Sequence, residues 1–136
     1  MKIIITGGAS GLGEAITRAM ASESANTVYF TYNRSAENAR AIAKEFPNAK
    51  GILCDLTNES SINSLLALLE DIKPEILINN AFTGFEINHF HKLTADYFLE
   101  NFKKNVIPTI QVTQKCISLF RKAKFGKIIT ILSSAI

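Results

Sequence analysis

The chain has 136 residues, of which 47% are apolar and 20% charged, as in an average soluble globular domain. This length allows one domain that buries roughly two-thirds of the surface its unfolded chain exposes. A net charge of +3 is too weak to indicate a nucleic-acid partner. The apolar run after Met1 is too short for a signal peptide or a membrane span, so we expect a cytoplasmic protein that binds no membrane.

Short apolar runs alternate with amphipathic stretches along the sequence. β-branched and apolar residues predict strands over residues 3–6, 28–32, 51–54, 76–78 and 128–132. Helices are predicted over residues 14–22 and 36–46, and a third begins at a cap that is either Thr57 or Asn58. Because strand and helix alternate strictly, residues 1–136 are predicted to form one doubly wound α/β domain, with a parallel sheet between two layers of helices.

The last predicted helix is long, running from about residue 95 to residue 120. Steps of three and four residues assign its apolar stripe to Phe98, Phe102, Asn105, Thr109, Val112, Cys116 and Leu119. Pro108 cannot donate a hydrogen bond to the carbonyl of Lys104, so we expect the helix to bend or loosen there. The amide of Asn105 interrupts the stripe beside this freed carbonyl, and the two groups together could hold a water molecule.

The sequence contains no residues with the spacing of a metal site, and we predict none. Cys54 closes an apolar strand and Cys116 lies on the stripe of the long helix, so both are predicted to be small buried hydrophobic residues. His89 and His91 lie in a loop and are expected to face solvent.

A glycine-rich turn follows the first predicted strand directly. Four of the seven glycines lie between residues 7 and 13, just before the first helix. A diphosphate must approach backbone N–H groups closely, and a Cβ atom would block it. Gly7, Gly11 and Gly13 are expected to serve the tight turn, the approach to phosphate and the close packing of helix on strand. The turn therefore predicts a site for the diphosphate of a nicotinamide dinucleotide.

Further polar motifs follow the later strands. The spacing Thr6-Gly7-Gly8-Ala9-Ser10-Gly11-Leu12-Gly13 is joined by Asp55 after the third strand, Asn79-Asn80-Ala81 after the fourth, Asn105 on the long helix and Ser133-Ser134 after the fifth. This set closely resembles the short-chain dehydrogenase/reductase family, in the family's order and over the whole chain. The resemblance implies a Rossmann fold and an NAD(P)-dependent oxidoreductase that interconverts a carbonyl and an alcohol on a small molecule.

The resemblance also implies which residues bind the cofactor. They are Gly7, Ala9, Ser10, Gly11, Leu12, Gly13, Asn33, Arg34, Ser35, Asp55, Leu56, Asn79, Asn80 and Ala81. Asp55 would accept a hydrogen bond from the adenine amino group, and Leu56 would line the adenine pocket. The family usually has glycine after the alanine of this last motif, whereas this chain has Phe82.

The residues after the second strand bear on the choice of cofactor. No acidic residue lies between Glu23 and Glu37, where an NAD-selective site places a carboxylate for the ribose 2′-hydroxyl. Arg34 could instead form charged hydrogen bonds to a 2′-phosphate, with Ser35 as a further donor. Against this, Ser10 stands where many NADP-selective relatives carry a basic residue. We predict NADP, with NAD as the second choice.

The resemblance places catalytic roles on Asn105, which would anchor the water of a proton relay, and on Ser133 or Ser134, which would bind the substrate oxygen. Counting from Gly126 favours Ser133, and a strand one residue longer would favour Ser134. The family's Tyr-x-x-x-Lys motif is not within residues 1–136, since no tyrosine has lysine four positions later.

Because that motif is absent, we expect the chain to be an incomplete family domain, truncated after the fifth strand and inactive alone. The second strand ends in residues that resemble 3-oxoacyl-carrier-protein reductases. The alternative is a non-catalytic NADP(H)-binding module with a regulatory or interaction role. In either case we expect a homo-oligomer formed through the long helix.

Overall fold

The computed structural model describes residues 1–84 and 89–132. One parallel sheet runs through the centre of the molecule in the order β3-β2-β1-β4-β5. Its strands are β1 (Lys2–Ile5), β2 (Thr27–Tyr32), β3 (Ala49–Leu53), β4 (Ile76–Asn79) and β5 (Lys127–Thr130). The helices are α1 (Gly11–Ala21), α2 (Ala36–Glu45), α3 (Glu59–Ile72), α4 (Ala95–Asn101) and α5 (Ile107–Ala123). The predicted doubly wound α/β fold is confirmed.

The centre of the sheet is buried on both faces, as its continuous apolar sequence predicts. Ile3, Ile4 and Ile5 of β1 are all 0% exposed. Ile3 and Ile5 belong to a core that includes residues of α1 and α2, such as Ile42. Ile4 belongs to a second core with residues of α3 and α5, such as Leu69. The sheet therefore separates two apolar layers, giving the expected α/β/α arrangement.

The order in which successive strands are added to the sheet reverses at β1, and this reversal indicates where a ligand can bind. From β1 the chain proceeds outward through β2 and β3, and it returns to the other side of β1 for β4 and β5. The loops that follow β1 and β4 therefore diverge at the carboxyl edge of the sheet. In open α/β sheets this switch point is where ligands bind.

The long helix differs from the prediction in its first half. A π-helical turn, Phe102–Val106, separates α4 from α5 and lies just ahead of Pro108, where loosening was expected. Val112 is buried as predicted, but Phe98 and Phe102 are 46% and 49% exposed. Their assignment to the apolar stripe was wrong, because the wider π turn shifts the helical phase between the two halves. Half-buried positions in α4 include Asn101 instead.

Two other expectations concern caps and cysteines. Asn58 rather than Thr57 caps α3, since its side-chain oxygen accepts a hydrogen bond from the Ser61 N–H at 2.9 Å. Cys54 and Cys116 are both free and buried, as predicted.

The last strand is exposed along its whole length. All four residues of β5 are exposed, including Ile128 at 41% and Ile129 at 47%. Ser133 and Ser134, predicted to follow this strand as candidate catalytic residues, lie outside the described residues. No helix in the described part of the chain is long and apolar enough to span a membrane.

Candidate functional site

A cavity of about 500 Å³ opens at the carboxyl edge of the sheet, at the switch point between β1 and β4. Its walls come from the loops after β1, β2, β3 and β4. Of the fourteen predicted cofactor-binding residues, twelve line it: Gly7, Ala9, Ser10, Leu12, Gly13, Asn33, Arg34, Ser35, Asp55, Leu56, Asn80 and Ala81. The two others, Gly11 and Asn79, do not. The structure thus brings together residues from four separate loops, while their roles remain predictions.

Three glycines of the turn differ in what an added Cβ atom would meet. Gly7 has a φ of +66°, and a Cβ on it would lie 2.9 Å from the Cα of Ala81. A Cβ on Gly13 would lie 2.0 Å from the Gly7 carbonyl oxygen, so this glycine allows α1 to pack on the turn. Gly11 has a φ of +52° and starts α1, where a Cβ would meet no atom within 4 Å. The turn is therefore closely packed inward at Gly7 and Gly13 and open at Gly11.

The N-terminus of α1 provides hydrogen-bond donors at this site. Ser10 is the N-cap residue, but its hydroxyl makes no capping hydrogen bond to the helix. The first N–H groups of a helix have no partner within the helix, and they carry the positive end of its dipole. Exposed Ser10 and the open space at Gly11 leave room for an anion against these groups, so the turn fits a diphosphate.

The loop after β4 is fastened to the glycine turn by a threonine hydroxyl. The Oγ1 atom of Thr6 accepts hydrogen bonds from the N–H groups of Asn80 and Ala81, both at 3.0 Å. The side-chain amide of Asn80 donates in turn to the carbonyl oxygens of Thr6 and Gly7, at 3.1 Å each. On the other side of the turn, the Gly7 N–H donates to Oγ1 of Thr31 at 2.9 Å. Thr6 was predicted only as the first residue of the glycine motif, and Thr31 was assigned no role from the sequence.

The loops after β2 and β3 carry the charged groups of the cavity. Oδ1 of Asp55 accepts hydrogen bonds from the hydroxyl and the N–H of Thr57, at 2.7 and 2.8 Å. These bonds, with smaller contributions from the Asn33 amide and the charge of Arg34, hold the pKa of Asp55 below its ordinary value. Asp55 is therefore an ionised, oriented acceptor at neutral pH. Arg34 is exposed on the neighbouring loop.

Asn105 lies in the π turn and reaches the loop after β4. Its Oδ1 accepts hydrogen bonds from the N–H and the hydroxyl of Thr83, at 2.8 and 2.9 Å. Its backbone carbonyl accepts from the hydroxyl of Thr109 at 2.8 Å. The side chain thus ties the helix to the cavity wall, while its predicted part in a proton relay stays a prediction.

Asn79 points away from the cavity. It is 5% exposed, and its side-chain N–H group donates to the hydroxyl of Thr113 at 3.0 Å and to that of Thr130 at 3.4 Å. It thereby links β4 to α5 and β5. Among the described residues, no three histidine, cysteine or acidic side chains lie close enough to hold a metal ion.

Comparison with known proteins identifies the family. The sequence profile described as short chain dehydrogenase matches residues 1–136. The chain belongs to the short-chain dehydrogenase family. A ketoacyl reductase from Nostoc sp. is 30% identical over 98% of this chain and 47% of its own length. A 3-oxoacyl-[acyl-carrier-protein] reductase from Aquifex aeolicus is 32% identical over 96% of this chain and 54% of its own length.

Solved structures of short-chain dehydrogenases have the same fold. A closed form of serine dehydrogenase complexed with NADP⁺ superposes with a TM-score of 0.84 at 26% identity, covering 98% of this chain and 54% of the other. A short-chain dehydrogenase from Streptomyces avermitilis superposes with a TM-score of 0.85 at 25% identity, covering 97% of this chain and 48% of the other. The 136-residue chain therefore spans about half the length of the relatives that it matches.

Proposed function

We propose that this chain is the cofactor-binding part of an NADP(H)-dependent oxidoreductase that interconverts a carbonyl and an alcohol. The observation that carries the proposal is the cavity at the switch point, with the N-terminus of α1 on one wall and Arg34 on another. A diphosphate would fit against the N-terminus of α1, and a 2′-phosphate would suit the charge of Arg34.

Different residues of the chain would bind different parts of the cofactor. The first N–H groups of α1 and the Ser10 hydroxyl would donate to the diphosphate. Arg34 would donate charged hydrogen bonds to the 2′-phosphate, and Asp55, held ionised by Thr57, would accept from the adenine amino group. NADPH, when bound there, would supply the hydride. Asn105 and one of the two serines after β5 would help to move the proton and hold the substrate oxygen.

We propose 3-oxoacyl thioesters as the substrate class. The sequence at the end of β2 favours this class, and the relatives from Nostoc sp. and Aquifex aeolicus carry names of that kind. The 136-residue chain would bind cofactor without turning it over, because it contains no Tyr-x-x-x-Lys motif. The alternative is a non-catalytic NADP(H)-binding module. An in-frame Tyr-x-x-x-Lys motif after Ile136 in the coding sequence would favour the enzyme, and a stop codon there would favour the module.

The cofactor proposal is tested by titrating the chain with NADPH and NADH and measuring ligand fluorescence. We expect NADPH to bind more tightly than NADH. Arg34→Ala should weaken NADPH binding about ten- to a hundredfold, the loss expected for charged hydrogen bonds to phosphate, and leave NADH binding unchanged. Arg40→Ala is the control, because Arg40 is exposed on α2 and does not line the cavity. Equal affinities for the two cofactors, or an unchanged NADPH affinity in Arg34→Ala, would refute NADP selectivity.

We also propose that a second copy of the chain packs on the outer face of the long helix. Phe102, Ile110 and Ile117 are 41–49% exposed there, and Glu100 pairs with Lys103 at one end of the face. In a dimer with two-fold symmetry, this face packs against the same face of the second copy, so that apolar side chains contact apolar side chains. Sedimentation should show a dimer that Ile110→Glu dissociates, and a wild-type monomer at all concentrations would refute this.

A further inference from the structure

Phe82 is a large aromatic side chain at the rim of the cavity. It is 60% exposed and lines the cavity together with Leu12, which is 58% exposed. Single exposed apolar residues are common on protein surfaces, so exposure alone indicates no role. The position of Phe82 is nevertheless distinctive, because this residue lines the cavity where the proposed cofactor would lie.

The backbone on both sides of Phe82 is held by hydrogen bonds to different parts of the fold. On one side, the Ala81 N–H donates to Oγ1 of Thr6, at the end of β1. On the other, the Thr83 N–H and hydroxyl both donate to Oδ1 of Asn105, in the π turn. These three hydrogen bonds fix the backbone on both sides of Phe82. Fixing a contact residue before its ligand arrives lowers the entropy cost of binding.

The sheet order indicates which half of a dinucleotide would pass Phe82. Arg34 and Asp55 follow β2 and β3, on one side of the glycine turn, whereas Phe82 follows β4 on the other side. With the diphosphate at the turn and the adenosine half toward Arg34 and Asp55, the nicotinamide half would extend to the other side of the turn, toward β4.

We propose that Phe82 is a cofactor-binding residue whose ring covers the nicotinamide half of the dinucleotide. This inference rests on the proposed function. The ring supplies apolar contact area and a flat face for packing against a planar ring or a ribose, and Leu12 adds apolar area in the same cavity. A covered cofactor would be retained by the glycine turn and by this contact together.

The test compares two ligands that differ in the half assigned to Phe82. NADPH contains both halves, and adenosine 2′,5′-bisphosphate contains only the adenosine half with its 2′-phosphate. We expect Phe82→Ala to weaken NADPH about three- to tenfold and to leave the affinity for adenosine 2′,5′-bisphosphate unchanged. Phe82→Tyr, which keeps the ring, should restore NADPH affinity, and Phe82→Leu should restore only part of it. Phe90→Ala is the matched control, since Phe90 is 79% exposed and does not line the cavity.

The outcomes distinguish this inference from the proposed function. If wild-type chain binds neither ligand, the proposed function fails and the role of Phe82 fails with it. If wild-type chain binds both, and Phe82→Ala changes neither affinity or weakens both equally, only the role of Phe82 is overturned. Circular dichroism of each variant shows whether it is folded, and Phe82→Tyr, which retains both ring and bulk, tests the inference even if the alanine variant unfolds.

Discussion

Replacing Gly13 by alanine should damage the fold far more than the same change at Gly11. A Cβ on Gly13 would lie 2.0 Å from the Gly7 carbonyl oxygen, 1.4 Å inside the 3.4 Å at which ordinary contact begins. It would also lie 2.4 Å from Nδ2 of Asn80, which donates to the carbonyls of Thr6 and Gly7. Since the atoms in the way are mainly backbone, the turn must move and these hydrogen bonds must lengthen or break.

The magnitude follows from these contacts. Overpacking costs about 1–3 kcal/mol and each lost hydrogen bond about 1 kcal/mol, so Gly13→Ala should cost about 3–5 kcal/mol. Gly11→Ala meets no atom within 4 Å, and its only cost is a positive φ of +52°, about 1–2 kcal/mol. For a chain of this size, Tm should fall by about 10–20 °C in Gly13→Ala and by about 3–8 °C in Gly11→Ala.

Thermal unfolding followed by far-ultraviolet circular dichroism measures both falls on one scale. The two variants add the same methyl group to the same turn, so each is the control for the other. Equal falls in Tm, or a larger fall for Gly11→Ala, would show that the packing of α1 on the turn is not what Gly13 provides.

Three further predictions address the core, the cavity and the thiols. Leu69→Ala should lower the free energy of unfolding by about 2–5 kcal/mol in urea titrations, because Leu69 is 0% exposed, whereas Leu68→Ala, at 38% exposed, should cost under about 1 kcal/mol; similar losses would contradict this. The fold lowers the pKa of Asp55, so its ionised form stabilises the protein above the ordinary pKa and that stability is lost as pH falls through the lowered pKa. Asp55→Asn should therefore unfold at lower urea than wild type at about pH 7, and the gap should narrow as the pH falls below about 4, the ordinary pKa of an aspartate; a gap independent of pH would argue against the carboxylate. Burial raises the pKa of Cys116 to about 12 and also raises that of Cys54, so a thiol reagent should label neither cysteine in the folded chain and both in urea; rapid labelling of the native chain would be inconsistent with their burial.

Much of the fold could be predicted because its signals are local. Each strand is a short apolar run, and the glycines that start α1 lie next to one another in the sequence. The register of the long helix could not be predicted, because one π turn ahead of Pro108 exposes Phe98 and Phe102 while leaving Val112 buried. Periodicity assumes a constant number of residues per turn, and it fails where that number changes.

The site was predictable in its residues and not in its connections. Arg34 and Asp55 could be assigned because each follows a recognisable strand. The hydrogen bonds from Asn80 and Ala81 to the Thr6 hydroxyl, and from Thr83 to Asn105, join residues 22–75 positions apart in the chain. Nothing in the neighbouring sequence marks such pairs, since they exist only once the sheet has formed.

The two outer strands of the sheet, β3 and β5, both expose apolar and charged side chains. At β3 these are Leu53, which is 66% exposed, and Lys50, and at β5 they are Ile128, Ile129 and Lys127. A charge on an edge strand discourages the addition of another strand, and exposed apolar residues favour it. Lys50 and Lys127 are therefore the side chains that oppose edge-to-edge association of this sheet with another copy.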